Sequence, residues 1–274
     1  MRVLVTGHLG FIGGYLMKKL QEQDHEVFGI DEKDGLDILF ADMMVHNFRP
    51  QMVFHLAARH FIPWCRKHPT QTYQVNAAGT GRVLMGLEGL DCVKSIVLAS
   101  SAAVYGFGNQ PFYESDILRP RDVYGLSKVD AENLLKVFSR ASAASCTSLR
   151  LSNVIGPGDE TPHLAPILAG GGTIKLGNMW PKRDYVFAGD VADAMMACAT
   201  RLGPGYRTYN VSTGIGTSPE ELVRVFRDAG KNIRVHQGPG REDDGHLVLD
   251  PSLIRREVEW KPVTGLRTVI EQWV

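Results

Sequence analysis

Val3-Leu-Val-Thr-Gly7-His-Leu-Gly10-Phe-Ile-Gly13 opens the chain with a short apolar run, then glycines at regular spacing, then a helical pattern. An apolar run this short, rich in valine, reads as a strand covered on both faces. Gly7, Gly10 and Gly13 suit a tight strand-to-helix turn whose backbone can come close to a pyrophosphate. The helix that follows, with Phe11 and Ile12 in its first turn, points unpaired N–H groups and its positive dipole end at such an anion. With 29 glycines in the chain, the spacing alone carries little weight. Its context carries more: a strand before, a helix after, and Asp31 closing the second apolar run. Asp31 lies about 20 residues beyond the last glycine, where an acid binds the ribose 2′-hydroxyl of a dinucleotide. An acid there repels the additional phosphate of NADP, so the expected cofactor is NAD. Lys33 works against that preference.

Outward from this stretch, short β-branched runs at 3–5, 26–30, 52–54, 95–98 and 147–150 read as strands. Helical patterns occupy 11–23, 69–87 and 124–142. This alternation predicts an α/β fold: a Rossmann-type doubly wound parallel sheet with ligands at the C-terminal ends of its strands. After Gly156 glycine and proline become frequent and regular segments shorten. That change predicts a smaller C-terminal substrate lobe. The expected division assigns 1–152, with parts of 184–212, to the NAD-binding domain, and 153–183 with 213–274 to the lobe.

The 274 residues suffice for one large domain or a domain plus a lobe, and 44% are hydrophobic, enough for a full core. Lys+Arg and Asp+Glu both number 30, which argues against nucleic acid or a membrane surface as a partner. Cys65, Cys92, Cys146 and Cys198 form no CxxC pair, so neither a metal site nor a disulfide scaffold is expected. No apolar run has the length of a membrane span. The expected location is the cytoplasm.

Asp122-Val-Tyr124-Gly-Leu-Ser-Lys128 places a phenol and an ammonium on one helix face. A Tyr–Lys pair of this spacing is ordinarily two solvated neighbours. Beside a dinucleotide site it suggests a base. Bringing a phenol from pH ~10 to neutrality takes about 4 kcal/mol of differential stabilisation, which nearby positive charge can supply.

Together these motifs resemble the extended short-chain dehydrogenase/reductase family, the NAD-dependent epimerases and dehydratases of nucleotide sugars. The resemblance runs over essentially the whole chain. Asp37-Ile38 is similar to the family's adenine-binding pair, and His55-Leu56-Ala57-Ala58 to the strand-end motif that lies against the cofactor. Val75-Asn76-Ala-Ala-Gly79 resembles its helix motif with a buried asparagine. Ser100-Ser101-Ala102-Ala103-Val-Tyr105-Gly106 resembles the segment whose Ser/Thr, here Ser101, bonds the reacting hydroxyl. Ser100 falls beside the cofactor and Ala102 beside the substrate by the same resemblance. Asn153, Arg183 and Arg241 match residues that hold the nucleotide diphosphate. The resemblance also implies a homodimer formed through the two long helices.

In this reading Tyr124 takes the hydroxyl proton as general base, Lys128 lowers its pKa and binds the nicotinamide ribose, and Ser101 positions the oxygen. NAD accepts and returns the hydride. The expected reaction is epimerisation of a nucleotide sugar at C4, with no net use of NAD. A 4,6-dehydratase and a ketosugar reductase remain the alternatives. Dehydratases of the family carry Asp-Glu where this chain has Ala102-Ala103, and elimination needs an acid and a base there. His60 and Arg59, in the loop after the third strand, are further candidates.

Overall fold

The computed structural model describes residues 1–239 and 245–274. The strands are β1 (Arg2–Thr6), β2 (Glu26–Ile30), β3 (Met52–His55), β4 (Ser95–Ser101), β5 (Ser145–Leu151), β6 (Asn153–Ile155), β7 (Gly172–Leu176), β8 (Arg183–Phe187), β9 (Gly205–Val211), β10 (Gly216–Thr217) and β11 (Ile233–Gln237). The helices are α1 (Phe11–Gln21), α2 (Ala41–Phe48), α3 (Ile62–Lys67), α4 (Pro69–Tyr73), α5 (Gly79–Leu87), α6 (Val123–Phe138), α7 (Leu164–Gly170), α8 (Ala188–Arg201), α9 (Pro219–Asp228), α10 (Ser252–Glu257) and α11 (Leu266–Trp273).

Six strands form one sheet in the order β2-β1-β3-β4-β5-β9, and every neighbouring pair is parallel. The continuous apolar runs follow from this arrangement, because successive side chains enter different cores. Val3 and Val5 pack with Leu16 and Leu20 of α1 and Val191 and Met195 of α8. Leu4, between them, packs with Val45 of α2, Val83 and Leu87 of α5 and Leu135 of α6. Each such fully buried side chain contributes about 1.5–3 kcal/mol. Helices therefore cover both faces, as a doubly wound sheet requires.

β2 and β3 flank β1 on opposite sides, so the winding reverses there and the loops after β1 and β3 diverge around a crevice. The helical stretch at 69–87 is interrupted by a π turn, Gln74–Ala78, which carries the buried Asn76. α6 starts at Val123 because the Asp122 carboxylate accepts from Gly125 N at 2.9 Å.

Beyond Asn153 the elements are short. β6 pairs with β8, β8 with β10, and β7 with β11. They share a third core in which Ile155, Leu168, Tyr185, Leu222, Phe226 and Ile270 meet. α9 opens with a capping box between Ser218 and Glu221. Two buried acids join this part to the sheet. Asp184 accepts from Thr213 N, Thr213 Oγ1 and Gly214 N at 2.7–2.9 Å. Asp190 accepts from Thr264 N at 2.9 Å, and the Trp260 indole donates to its carbonyl at 3.1 Å. Among the described residues, no helix is long and apolar enough to cross a membrane, and no three His, Cys, Asp or Glu converge as a metal site.

Candidate active site

The glycine turn is closed by backbone packing. Gly7 has φ +73°, and a Cβ there would lie 2.8 Å from Ala57 N. A Cβ on Gly13 would lie 2.2 Å from Gly7 O. Gly10 precedes α1, whose N-terminus has no side-chain cap and no acid in its first turn. Such a terminus fits an anion delivered by a ligand. Phe11, Ile12, Leu56, Ala57 and Ala58 are half-buried around it. Asp31 accepts from Leu9 N at 3.1 Å and Lys33 N at 3.0 Å, which fastens the end of β2 to the glycine turn. Asp37 is exposed and caps its own turn through Leu39 N. Ile38 is buried against Gly79, where a Cβ would meet its Cγ2 at 2.9 Å. An uncapped helix N-terminus for a pyrophosphate and a carboxylate at the end of β2 for a ribose are the groups a dinucleotide requires, and the residues present fit it. When bound, NAD supplies the hydride acceptor and a positive nicotinamide ring.

His55 and Asn76 act as braces. His55 bonds Thr6 Oγ1 at 2.6 Å and Thr80 Oγ1 at 2.8 Å, and burial together with the Lys128 charge pushes its pKa down to about 3. Asn76 accepts from Arg59 N at 2.7 Å and donates to Arg59 O and Ser127 Oγ, both at 2.9 Å. Its amide thus positions the loop after β3 against α6, with both amide hydrogens already engaged.

Ser101 ends β4, and its hydroxyl accepts from Ala103 N at 3.2 Å. It also acts on the Tyr124 phenol, whose pKa it pulls down. Burial pushes Tyr124 up to about 12, Ser101 pulls the other way, and Cys65 and Asp122 raise it further. The net shift is upward, contrary to the expectation from spacing. The protein's own groups therefore keep the phenol protonated at neutral pH. Lys128 is buried, donates to Ala99 O at 2.8 Å, and is lowered to about 8 by burial, with Glu132 and Cys65 opposing the shift.

Ser100 does not face the cofactor crevice. Its hydroxyl donates to Glu132, which also accepts from Arg150 Nε at 3.0 Å and Arg150 Nη2 at 2.7 Å. The guanidinium continues to Tyr105 OH at 2.9 Å, and Tyr105 donates to Asn210 Oδ1 at 2.8 Å. Sequence reasoning missed Glu132. Its one signal is that it follows Lys128 by a helical turn on the buried face of α6. Ala102 is buried with Val104, Tyr105, Leu247 and Leu249, so its methyl packs in a core of its own.

Asn153 begins β6 and pairs in register with Tyr185. Arg183 donates to Gly245 O at 2.8 Å and lies 4.6 Å above the Phe107 ring. Arg241 lies outside the described residues. A cavity of about 470 Å³ sits nearby, lined by Trp180, Lys182, Glu220 and Gln237 among others. His60 bonds Thr161 Oγ1 at 3.1 Å, beside an Asp159–His163 pair at 3.2 Å. Burial, His163 and Lys128 all lower its pKa. Arg59 pairs with Glu32.

A parallel sheet with a glycine turn at its switch point and a Ser–Tyr–Lys set at the ends of β4 and α6 defines an enzyme that moves hydrogen with a bound dinucleotide. The NAD-dependent epimerase/dehydratase family model matches residues 3–212, and the chain belongs to that family. It is 30% identical to the UDP-glucose 4-epimerase of Mycolicibacterium smegmatis, covering 100% of this chain and 97% of that one. It is also 30% identical to GDP-6-deoxy-D-talose 4-dehydrogenase of Aggregatibacter actinomycetemcomitans, over 99% and 96%. Among solved structures, UDP-glucose 4-epimerase of Thermus thermophilus in complex with NAD superposes with TM-score 0.89 at 29% identity, covering 99% and 97%.

Proposed function

We propose that this protein is an NAD-dependent nucleotide-sugar epimerase acting at C4, with a UDP-sugar as substrate. The single observation that carries the reading is the join at the sheet edge. Ser101 stands where it pulls the Tyr124 pKa down, Lys128 is held at Ala99 on the same strand, and alanines occupy 102 and 103 where elimination would need acids. Tyr124 takes the C4 hydroxyl proton, Ser101 positions that oxygen, and Lys128 donates to the nicotinamide ribose. The positive ring of bound NAD adds the field that the protein alone leaves wanting at Tyr124. Asn153, Arg183 and Arg241 hold the diphosphate between the NAD-binding domain, 1–152 with parts of 184–212, and the lobe of 153–183 and 213–274.

We assign the protein to the cytoplasm on its four free thiols. It assembles as a homodimer through α5 and α6. Leu134 and Val137 are exposed on α6 and Met85 on α5, whereas Ala131 and Leu135 belong to the core. The test is incubation with UDP-glucose and other nucleotide sugars, read by NMR. Interconversion of a C4 epimer pair without net NADH supports the reading. Net NADH points instead to a dehydrogenase or ketosugar reductase, and a 4-keto-6-deoxy product to a dehydratase.

A further inference from the structure

We propose that the Glu32–Arg59 ion pair is a selectivity lock that withholds Arg59 from the 2′-phosphate of NADP. The inference rests on NAD lying in the crevice at Gly7. Glu32 directly follows Asp31 at the end of β2, and Arg59 follows β3. Because β1 lies between those strands, the pair arches over the end of β1, where the glycine turn begins. Arg59 donates from Nη1 to Glu32 Oε1 at 2.6 Å and from Nη2 to Glu32 Oε2, a bidentate fork.

The same fork would suit a phosphate on the ribose that Asp31 marks, since an arginine near that position is how a 2′-phosphate is accommodated. Arg59 is set in place independently of Glu32. Its backbone is held on both sides by Asn76, and its guanidinium lies 5.3 Å from the Trp64 ring centre. Its Nε is buried with no hydrogen-bond partner, a donor that the pair with Glu32 leaves unused. The second nearby cation, Lys33, is also engaged, donating from Nζ to Leu9 O at 3.2 Å. The lock is cheap to open, because the side chains are 36% and 59% exposed and exposed pairs add little stability.

The experiment is calorimetric titration of NAD and NADP into cofactor-stripped wild type, Glu32→Ala, Arg59→Ala and the double variant. Wild type should bind NAD more tightly. Glu32→Ala should lower the ratio of NADP Kd to NAD Kd by about tenfold or more, the equivalent of one charge-assisted hydrogen bond. Adding Arg59→Ala should return the ratio to the wild-type range. A ratio within about twofold of wild type in Glu32→Ala, well under one hydrogen bond's worth, overturns the lock. So does a gain that survives in the double variant, which would be removal of repulsion only. Wild-type preference for NADP overturns it as well. NAD binding across the set reports on the crevice separately, so a failed ratio with intact NAD binding refutes the lock alone.

Discussion

Replacing Glu132 with glutamine leaves its shape and removes its charge. In the folded protein this carboxylate accepts from Ser100 and from two Arg150 nitrogens, with side-chain exposures of 4% for Glu132 and 6% for Arg150. In Glu132→Gln the amide NH2 would face the guanidinium, donor against donor. Arg150 would keep the amide oxygen, Tyr105 OH and the Glu114 carbonyl, but would lose its counter-charge and one of its two acceptors at 132. Breaking one partner of a buried pair costs about 3–5 kcal/mol. At about 2–4 °C per kcal/mol for a chain of this size, the melting temperature should fall by roughly 10 °C. Thermal unfolding followed by circular dichroism measures it. The double variant Glu132→Gln/Arg150→Met should recover most of the loss, because it removes the orphaned charge. A fall of under about 2 °C in the single variant, less than the smallest loss this size scaling allows, would refute the reasoning. So would a double variant less stable than the single.

Tyr124→Phe should fold normally and lose about 10²–10⁴-fold in turnover, the usual worth of a general base, and retention of wild-type turnover would remove Tyr124 from that role. Gly13→Ala should abolish NAD binding in a titration, since its Cβ would lie 2.2 Å from Gly7 O and the turn cannot hold its shape. Burial lowers Lys128 to about 8 in the folded protein from the ordinary lysine value of 10.5, so between these values the unfolded chain binds more protons and the Lys128 contribution to stability rises with pH. Urea unfolding at both ends of that window should show this increment in wild type relative to Lys128→Met, and parallel pH dependence of the two would contradict it. Leu134→Glu should shift the mass by light scattering from dimer to monomer, and an unchanged dimer places the interface elsewhere.

Five of the sheet's six strands could be read from the sequence because burial leaves a local trace, a short run with few charges; β9, Gly-Tyr-Arg-Thr-Tyr-Asn-Val at the sheet's edge, is only half-buried over its first four residues and carries no such run. The glycine turn was legible for a similar reason, since its conformation demands particular residue types at fixed offsets. The Glu132–Arg150 pair left no such trace. Its partners come from α6 and β5, and a glutamate on a helix looks the same in sequence whether solvated or buried. The π turn around Asn76 brings its amide to the β3 loop and α6, a tertiary contact that no local pattern encodes. The acidity of Tyr124 is not legible from spacing, which gives proximity to Lys128 but says nothing of burial, the largest influence on the phenol. β6, β7, β8, β10 and β11 left no clear trace because they are two to five residues long and set among glycines and prolines.

Tyr124, Lys128 and Glu132 occupy successive turns of one helix, each reaching a different part of β4 or its neighbour. A helix advances about 100° per residue. One residue inserted or lost between 124 and 132 would therefore swing whatever lies downstream by that angle, separating the hydroxyl partner from the charge partner at a stroke. Point changes along α6 can be graded in severity, but changes in its length cannot. Over evolutionary time this protein can be expected to vary the length of its loops and keep the residue count of that segment fixed.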